Sequence, residues 1–127
     1  MSVASYKVVT TVPTSHTEIV LNAIIAAGGG HFDDRYDSVA FIERGEGHFR
    51  PLAGANPQIG TVGKIEKVVE DKISVSVTNE KLQGVVNAIY TTHPYEAPVI
   101  DVHLLIDTRP TAGILRTHSA PNGNKIS

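Results

Sequence analysis

The sequence contains no cysteine and no tryptophan, and only 6% of its residues are aromatic. Without cysteine there is no disulfide, no thiolate metal ligand and no cysteine nucleophile. The scarcity of large rings argues against a surface that binds nucleic acid by stacking on its bases. The sequence also has no Gly-x-Ser-x-Gly elbow, so nucleophilic acyl transfer is not expected.

A strong charge of one sign is also missing, because 13 acidic and 11 basic side chains give a formal net charge of −2. Broad electrostatic capture of nucleic acid is therefore not expected. No apolar run approaches the roughly 18 residues that a membrane span requires, and the N-terminus lacks the features of a signal peptide. We expect a cytoplasmic protein that binds neither nucleic acid nor membrane.

The length of 127 residues and the hydrophobic content of 41% are typical of one globular domain. We assign this domain to residues 1–107 and a C-terminal extension to residues 108–127. The domain has an internal repeat, since the segment Lys72–Val77 resembles Lys7–Val12 and begins 65 positions after it. At the same offset Asn22 matches Asn87, which indicates two copies of one supersecondary unit.

Each copy has the pattern of a strand, a helix and a second strand. In the first copy, the capping-box spacing of Ser15 and Glu18 predicts a helix that begins near Thr17, and Gly28–Gly30 end it. In the second copy, apolar residues alternate from Ile73 to Val77 and predict a half-buried strand. The remaining predicted elements are strands at 6–12, 38–43 and 99–106 and a helix at 79–92 with Leu82, Val85, Val86, Ile89 and Tyr90 on one face.

Two such units predict an α+β, ferredoxin-like βαββαβ fold. In this fold a four-stranded antiparallel sheet carries both helices on one face. A glycine- and proline-rich excursion at residues 45–69 separates the two units, and Gly45-Glu46-Gly47 within it has the composition of a hairpin turn.

The excursion is the first candidate for a binding site. Its glycines allow backbone N–H groups to converge on an anion, and a nearby basic side chain adds positive charge. It is not a Walker loop, because Ile65 follows Gly63-Lys64 where Ser or Thr is required. The alternative is a rigid turn-rich segment. The candidate ligand-binding residues here are Arg50, Gly54, Asn56, Gly60 and Gly63.

The second candidate is the segment His93-Pro94-Tyr95-Glu96-Ala97-Pro98, followed by Asp101 and His103. His93, Tyr95 and Glu96 are candidates for binding a ligand. Imidazole and carboxylate groups also suit divalent metals and proton transfer, so His93, Glu96, Asp101 and His103 form a candidate metal or acid–base set. The alternative is structural, because a residue before proline disfavours helical geometry and Pro94 then ends the second helix.

The glycine and proline pattern of Gly45–Gly63, together with His93–Pro98, resembles the domain inserted in the YqfO-type proteins of the Nif-three-like family. The resemblance runs from Tyr6 to Ile106, and the segment 31–37 departs from the family pattern. The resemblance implies a stand-alone version of that inserted domain, with a fold like those of CutA and PII proteins and a tendency to form trimers or higher assemblies.

The resemblance does not imply the catalytic chemistry of the larger family. The dinuclear metal ligands of the parent proteins lie in a domain that these 127 residues do not include, so neither they nor a GTP cyclohydrolase-like activity is carried over. Three hypotheses follow. The first is an oligomeric binding or regulatory module with a small-molecule or anionic ligand, the second a metal-binding protein or metal-dependent hydrolase, and the third a structural oligomerisation module.

Overall fold

The computed structural model describes residues 5–108, and the predicted C-terminal extension 108–127 lies outside them except for Thr108. The described residues form four strands and two α-helices in the order that the repeat predicts. The elements are β1 (Ser5–Pro13), α1 (Thr17–Ala26), β2 (Phe41–Phe49), β3 (Glu66–Thr78), α2 (Asn79–Thr92) and β4 (Ile100–Leu105).

The strands form a single sheet in the order β2-β3-β1-β4, in which all neighbouring strands are antiparallel. β1 and β3, the first strands of the two repeats, lie side by side in the centre, with Val8 opposite Val75. Each helix therefore connects two strands that have a third strand between them. This is the ferredoxin-like α+β fold, and the fold prediction is confirmed.

The core lies between the sheet and the two helices, on what we call the helix face of the sheet. Successive side chains of a strand point to opposite faces, so only alternate residues of β1 and β3 enter this core. Nine hydrophobic side chains in the core are at most 2% exposed, namely Val8, Val12, Val20, Ile24, Ile73, Val75, Val77, Val85 and Ile89. The residues between them on each strand point to the opposite side, which we call the open face.

Helix α1 begins at Thr17, where the sequence places it, but not through the predicted capping box. A short 3₁₀ turn, Thr14–His16, precedes the helix, and no side chain caps its first turn. The Ser15 hydroxyl lies 2.8 Å from His16 Nδ1 instead. The predicted end of the helix is confirmed, because Gly28 follows the capping residue Ala27 with a positive φ of 106°.

Helix α2 spans the predicted residues, Asn79–Thr92. Val85 and Ile89 enter the core as expected from their spacing. The prediction was wrong for Tyr90, which is 59% exposed. His93 follows the helix with an extended backbone, as its position before Pro94 requires.

Strands β2 and β3 extend much further than the sequence indicates. Gly45-Glu46-Gly47 does not form a hairpin turn but lies inside β2, where Gly45 pairs with Glu70 and Gly47 with Val68. The excursion predicted at 45–69 is thus a long β2–β3 hairpin whose connecting loop comprises residues 50–65 only. Neither helix of residues 5–108 has the length and apolar character that crossing a membrane demands.

Candidate functional site

A cavity of about 570 Å³ opens on the open face of the sheet, above β2 and β3. The loop 50–65 and the segment 95–99 form its walls, so both segments selected from the sequence border the same space. The volume lies in the range of small-molecule sites, roughly 300–1,000 Å³. The lining side chains used below are Phe49, Pro57, Ile59, Glu70, Tyr95 and Val99.

Two hydrogen bonds hold the loop 50–65 in place. The Gly63 N–H donates to the Pro51 carbonyl at 2.7 Å and closes the base of the loop, and Gly63 has a positive φ of 84° that favours glycine there. The Asn56 N–H donates to Glu96 Oε2 at 2.9 Å. This second bond joins the loop to the segment that follows α2, so the two walls of the cavity support each other.

His93 is a positioning residue behind the cavity wall, and it is only 7% exposed. Its Nε2 lies 2.7 Å from the Thr11 carbonyl oxygen, and its Nδ1 accepts a hydrogen bond from the Tyr95 N–H at 3.1 Å. Because the carbonyl only accepts and the amide only donates, the ring is neutral with its proton on Nε2. Burial lowers the pKa of His93, against the opposing effects of the Thr11 carbonyl and the Glu70 charge.

Tyr95 forms the part of the wall nearest the sheet. Its ring lies between those of His93 and Phe49, with centroid distances of 4.9 and 5.9 Å and tilted planes. Its hydroxyl donates to Glu70 Oε2 at 3.0 Å. Burial raises the pKa of the Tyr95 hydroxyl, and the hydrogen bond and negative charge of Glu70 raise it further.

Glu70 is a buried carboxylate at the base of the cavity, with 8% of its surface exposed. Its side chain passes over the neighbouring strand at Gly47, where a Cβ atom would lie 2.0 Å from Glu70 Oε1. Gly47 therefore provides the space in which this carboxylate sits. Gly45, directly opposite Glu70, has no atom within 4 Å of the position that its Cβ would take.

The acidic groups around the cavity differ in how they are paired. Glu43 lies 3.9 Å from the Lys72 ammonium, and Glu46 lies 2.6 Å from His48 Nε2. Glu70 and Glu96 form no ion pair with any cationic side chain among residues 5–108, and each accepts one hydrogen bond from a neutral donor. Within the described part of the chain, the cavity thus has two carboxylates without a countercharge, Glu70 at its base and Glu96 in its wall.

The structure brings together part of the predicted ligand set. Tyr95 and Glu96 line the cavity, Asn56 contacts Glu96 through its backbone, and His93 supports Tyr95 from behind. The other predicted residues belong to the described loop but do not line the cavity, namely Arg50, Gly54, Gly60 and Gly63. Their association with a ligand stays a prediction.

The four residues of the candidate metal set do not converge. Asp101 and His103 are exposed on the edge strand β4, opposite Val9 and Lys7, whereas His93 is buried and uses both ring nitrogens in hydrogen bonds. Within residues 5–108 no three His, Asp or Glu side chains form a group that could hold a metal ion. The separation arises because β1 lies between β4 and the strands beneath the cavity.

Glu70, Gly47 and Phe49 contribute to the cavity but were not among the candidate site residues predicted from the sequence. Glu70 and Asp71 form a charged run with Lys72, and a run of this kind ordinarily lies in solvent. The feature that could have identified these residues is the pair of glycines in β2, Gly45 and Gly47, which lies across the sheet from the Glu70 carboxylate. It becomes readable only once the β2–β3 register is known.

The sheet order and the helices on one face define a ferredoxin-like α+β module. No family model matches the chain. The structure of CutA from Synechococcus elongatus is similar with a TM-score of 0.59 and 22% identity, covering 83% of this chain and 80% of that one. At this identity the likeness concerns the fold alone.

A closer likeness is to a Bacillus cereus protein related to NIF3, with a TM-score of 0.73, 33% identity and coverage of 84% of this chain and 27% of that one. Relatives named GTP cyclohydrolase 1 type 2 homolog include those of Halalkalibacterium halodurans, 40% identical over 111 residues, and Mycobacterium leprae, 34% identical over 116 residues. These alignments cover 87% and 91% of this chain but only 30% of each relative. The chain is a homologue of the NIF3-related proteins over this one domain, and the resemblance to the Nif-three-like family is confirmed.

Proposed function

We propose that this CutA-like module binds a small organic molecule in the cavity of its open face and acts as a binding or regulatory domain. The observation that carries the proposal is the composition of the cavity. Apolar atoms form most of its surface, although charged side chains also border it, and one buried polar pair, Glu70 and the Tyr95 hydroxyl, lies at its base. Concave apolar walls with a few convergent polar groups are typical of small-molecule sites.

Binding accounts for these groups better than catalysis does. His93 is the natural general base of the region, but both of its ring nitrogens are engaged with backbone groups. The Tyr95 hydroxyl has a raised pKa and holds its proton towards Glu70. The relatives named after GTP cyclohydrolase are more than three times as long as the matched region, and we assign no such reaction to this domain.

The cavity can be blocked without disturbing the fold. Gly45 is a lining residue in β2 with open space where a side chain would begin, so Gly45→Trp places an indole ring into the cavity. Gly45→Ala adds a single carbon at the same position and is the matched control. We expect the neutral fluorescent probe 6-propionyl-2-(dimethylamino)naphthalene to bind the unmodified protein and Gly45→Ala saturably, with one site per chain. In Gly45→Trp the fluorescence increase is lost.

The proposal fails if the probe binds Gly45→Trp as well as it binds Gly45→Ala. It also fails if no saturable binding is seen in the unmodified protein. Circular dichroism of both variants shows whether the sheet is retained, so a loss of binding is not confused with unfolding.

A second observation favours assembly of the domain with copies of itself, and we propose a homo-oligomer with a trimer as the expected form. β4 is an edge strand of the sheet, and apolar side chains are exposed along it and just after it. Val102, Leu104 and Ile106 are 42%, 69% and 69% exposed. A second copy that pairs with this edge would bury them and bond the outer backbone groups of β4, which pair with no strand among residues 5–108.

Sedimentation equilibrium tests this assembly. We expect the unmodified chain to sediment as an oligomer at micromolar concentration and Leu104→Glu to shift towards the monomer. Leu52→Glu, which changes a similarly exposed residue of the loop, serves as the control and should leave the mass unchanged. A monomeric unmodified chain would contradict the proposal.

A further inference from the structure

The cationic groups near the cavity are already engaged. Arg44 donates from Nε to Asp71 Oδ1 at 3.0 Å, and Lys72 pairs with Glu43. Arg50, which the sequence suggested as an anion contact, is not part of the wall. A bound anion would therefore meet Glu70 and Glu96 without a free lining cation among residues 5–108 to offset them.

Glu70 has unused capacity for accepting hydrogen bonds. The Tyr95 hydroxyl occupies Oε2, and no hydrogen bond within residues 5–108 reaches Oε1. The hydrogen bond from the Tyr95 hydroxyl holds the carboxylate, which lies in the space left by the missing side chain of Gly47. A buried carboxylate that is fixed but only partly satisfied is an acceptor for N–H groups, most strongly when the donor is charged.

We infer that the ligand is an organic cation with a planar N–H donor group, such as an amidinium or a protonated aminoheterocycle, on an apolar body. The inference rests on the proposed binding function of the cavity and names the class of ligand. The donor group faces Glu70 Oε1, and the apolar body lies against Phe49, Ile59 and Val99. The Tyr95 ring beside Glu70 adds an aromatic surface that attracts a cation.

Three probes of one shape and different charge test the inference, namely benzamidine, benzamide and benzoate. Their dissociation constants are measured by NMR chemical-shift titration of the full chain. We expect benzamidine to bind about tenfold more tightly than benzamide, because its donor group is charged. Benzoate should bind more weakly than either.

Glu70→Gln keeps the shape of the side chain and its ability to accept from Tyr95, but removes the charge. In this variant the preference for benzamidine over benzamide should fall to within about twofold. Glu80→Gln makes the same chemical change in the first turn of α2 and should leave the preference unchanged.

Equal binding of the three probes, a preference for benzoate, or an unchanged preference in Glu70→Gln would overturn the assigned ligand class. If the probes bind with one of these patterns and Gly45→Trp abolishes their binding, the cavity is still the binding site and only the proposed class of ligand is wrong. Failure of benzamidine to bind at millimolar concentration would also overturn the class. The naphthalene probe then decides separately whether the cavity binds small molecules.

Discussion

Glu70 and Asp71 are consecutive residues of β3, both are buried, and they point to opposite faces of the sheet. On the helix face, Asp71 accepts hydrogen bonds from Arg44 Nε at 3.0 Å and from Thr17 Oγ1 at 2.6 Å. On the open face, Glu70 accepts a hydrogen bond only from the Tyr95 hydroxyl among the described residues. Asp71 therefore has an ion pair and two kinds of hydrogen-bond donor, whereas its neighbour Glu70 has a single neutral donor.

This difference in hydrogen bonding indicates different roles for the two carboxylates. The hydrogen bonds of Arg44 and then of Thr17 lower the pKa of Asp71, so this ionised carboxylate joins β2, β3 and the start of α1. A buried charge without a countercharge lowers stability. We therefore attribute Asp71 to the stability of the fold and Glu70 to binding.

The largest expected effect on stability comes from truncating a side chain on the helix face, and a truncation on the open face of the neighbouring strand is the comparison. Ile73→Ala removes a side chain that is 1% exposed in the core, and we expect a loss of about 2–5 kcal/mol in the free energy of unfolding. Phe41→Ala, on the open face of β2, removes a larger side chain that is 64% exposed and should change stability by less than about 0.5 kcal/mol. Urea denaturation measures both. Equal losses would show that the open face contains a second core.

The core was predictable from the sequence because its signals are local. Alternation in β3 and the spacing of Val85 and Ile89 in α2 follow from strand and helix geometry, and Pro94 restricts the backbone of the residue before it. The ends of β2 were not predictable, since Gly45 and Gly47 have low strand propensity. Their strand conformation depends on pairing with β3, a partner more than twenty residues away.

The candidate site was predictable only in part for the same reason. Both wall segments stand out through their glycine and proline patterns, but the contact between Asn56 and Glu96 spans 40 residues. Glu70 carries no local signal, because its burial depends on Gly47 across the sheet and on Tyr95 after α2. A basic residue in a glycine-rich loop suggested an anion site, but the register of the sheet places the carboxylate of Glu70 at the cavity base.

The second prediction compares the two carboxylates directly. Asp71→Asn weakens the hydrogen bonds to Arg44 and Thr17, and we expect a loss of about 1–3 kcal/mol near neutral pH. Glu70→Gln should change stability by less than about 1 kcal/mol, because an amide oxygen still accepts from Tyr95 and no ion pair is lost. Thermal and urea denaturation of both variants provide the comparison.

The pH dependence of the same variants gives an independent check. Because the pKa of Asp71 is lowered in the folded state, its stabilising contribution is complete above its unfolded pKa of about 3.9 and disappears as the pH falls towards the lower folded pKa. The difference between the unmodified protein and Asp71→Asn should therefore be constant above about pH 5 and shrink below about pH 4. A difference that persists unchanged in acid would assign the effect to packing instead of charge.

The smallest expected effect tests how the fold holds Glu70 in the cavity. Gly47→Ala places a Cβ 2.0 Å from Glu70 Oε1, too close for contact, so the flexible end of the Glu70 side chain moves away at the expense of its bond to Tyr95. We expect a loss of about 1 kcal/mol. Gly45→Ala meets no atom and should be neutral or stabilise by up to about 1 kcal/mol, because alanine restricts the unfolded chain. In a Tyr95→Phe background the bond is already absent, so Gly47→Ala should there cost almost nothing. An undiminished cost in that background would mean that Gly47 is required by the strand itself and not by the carboxylate above it.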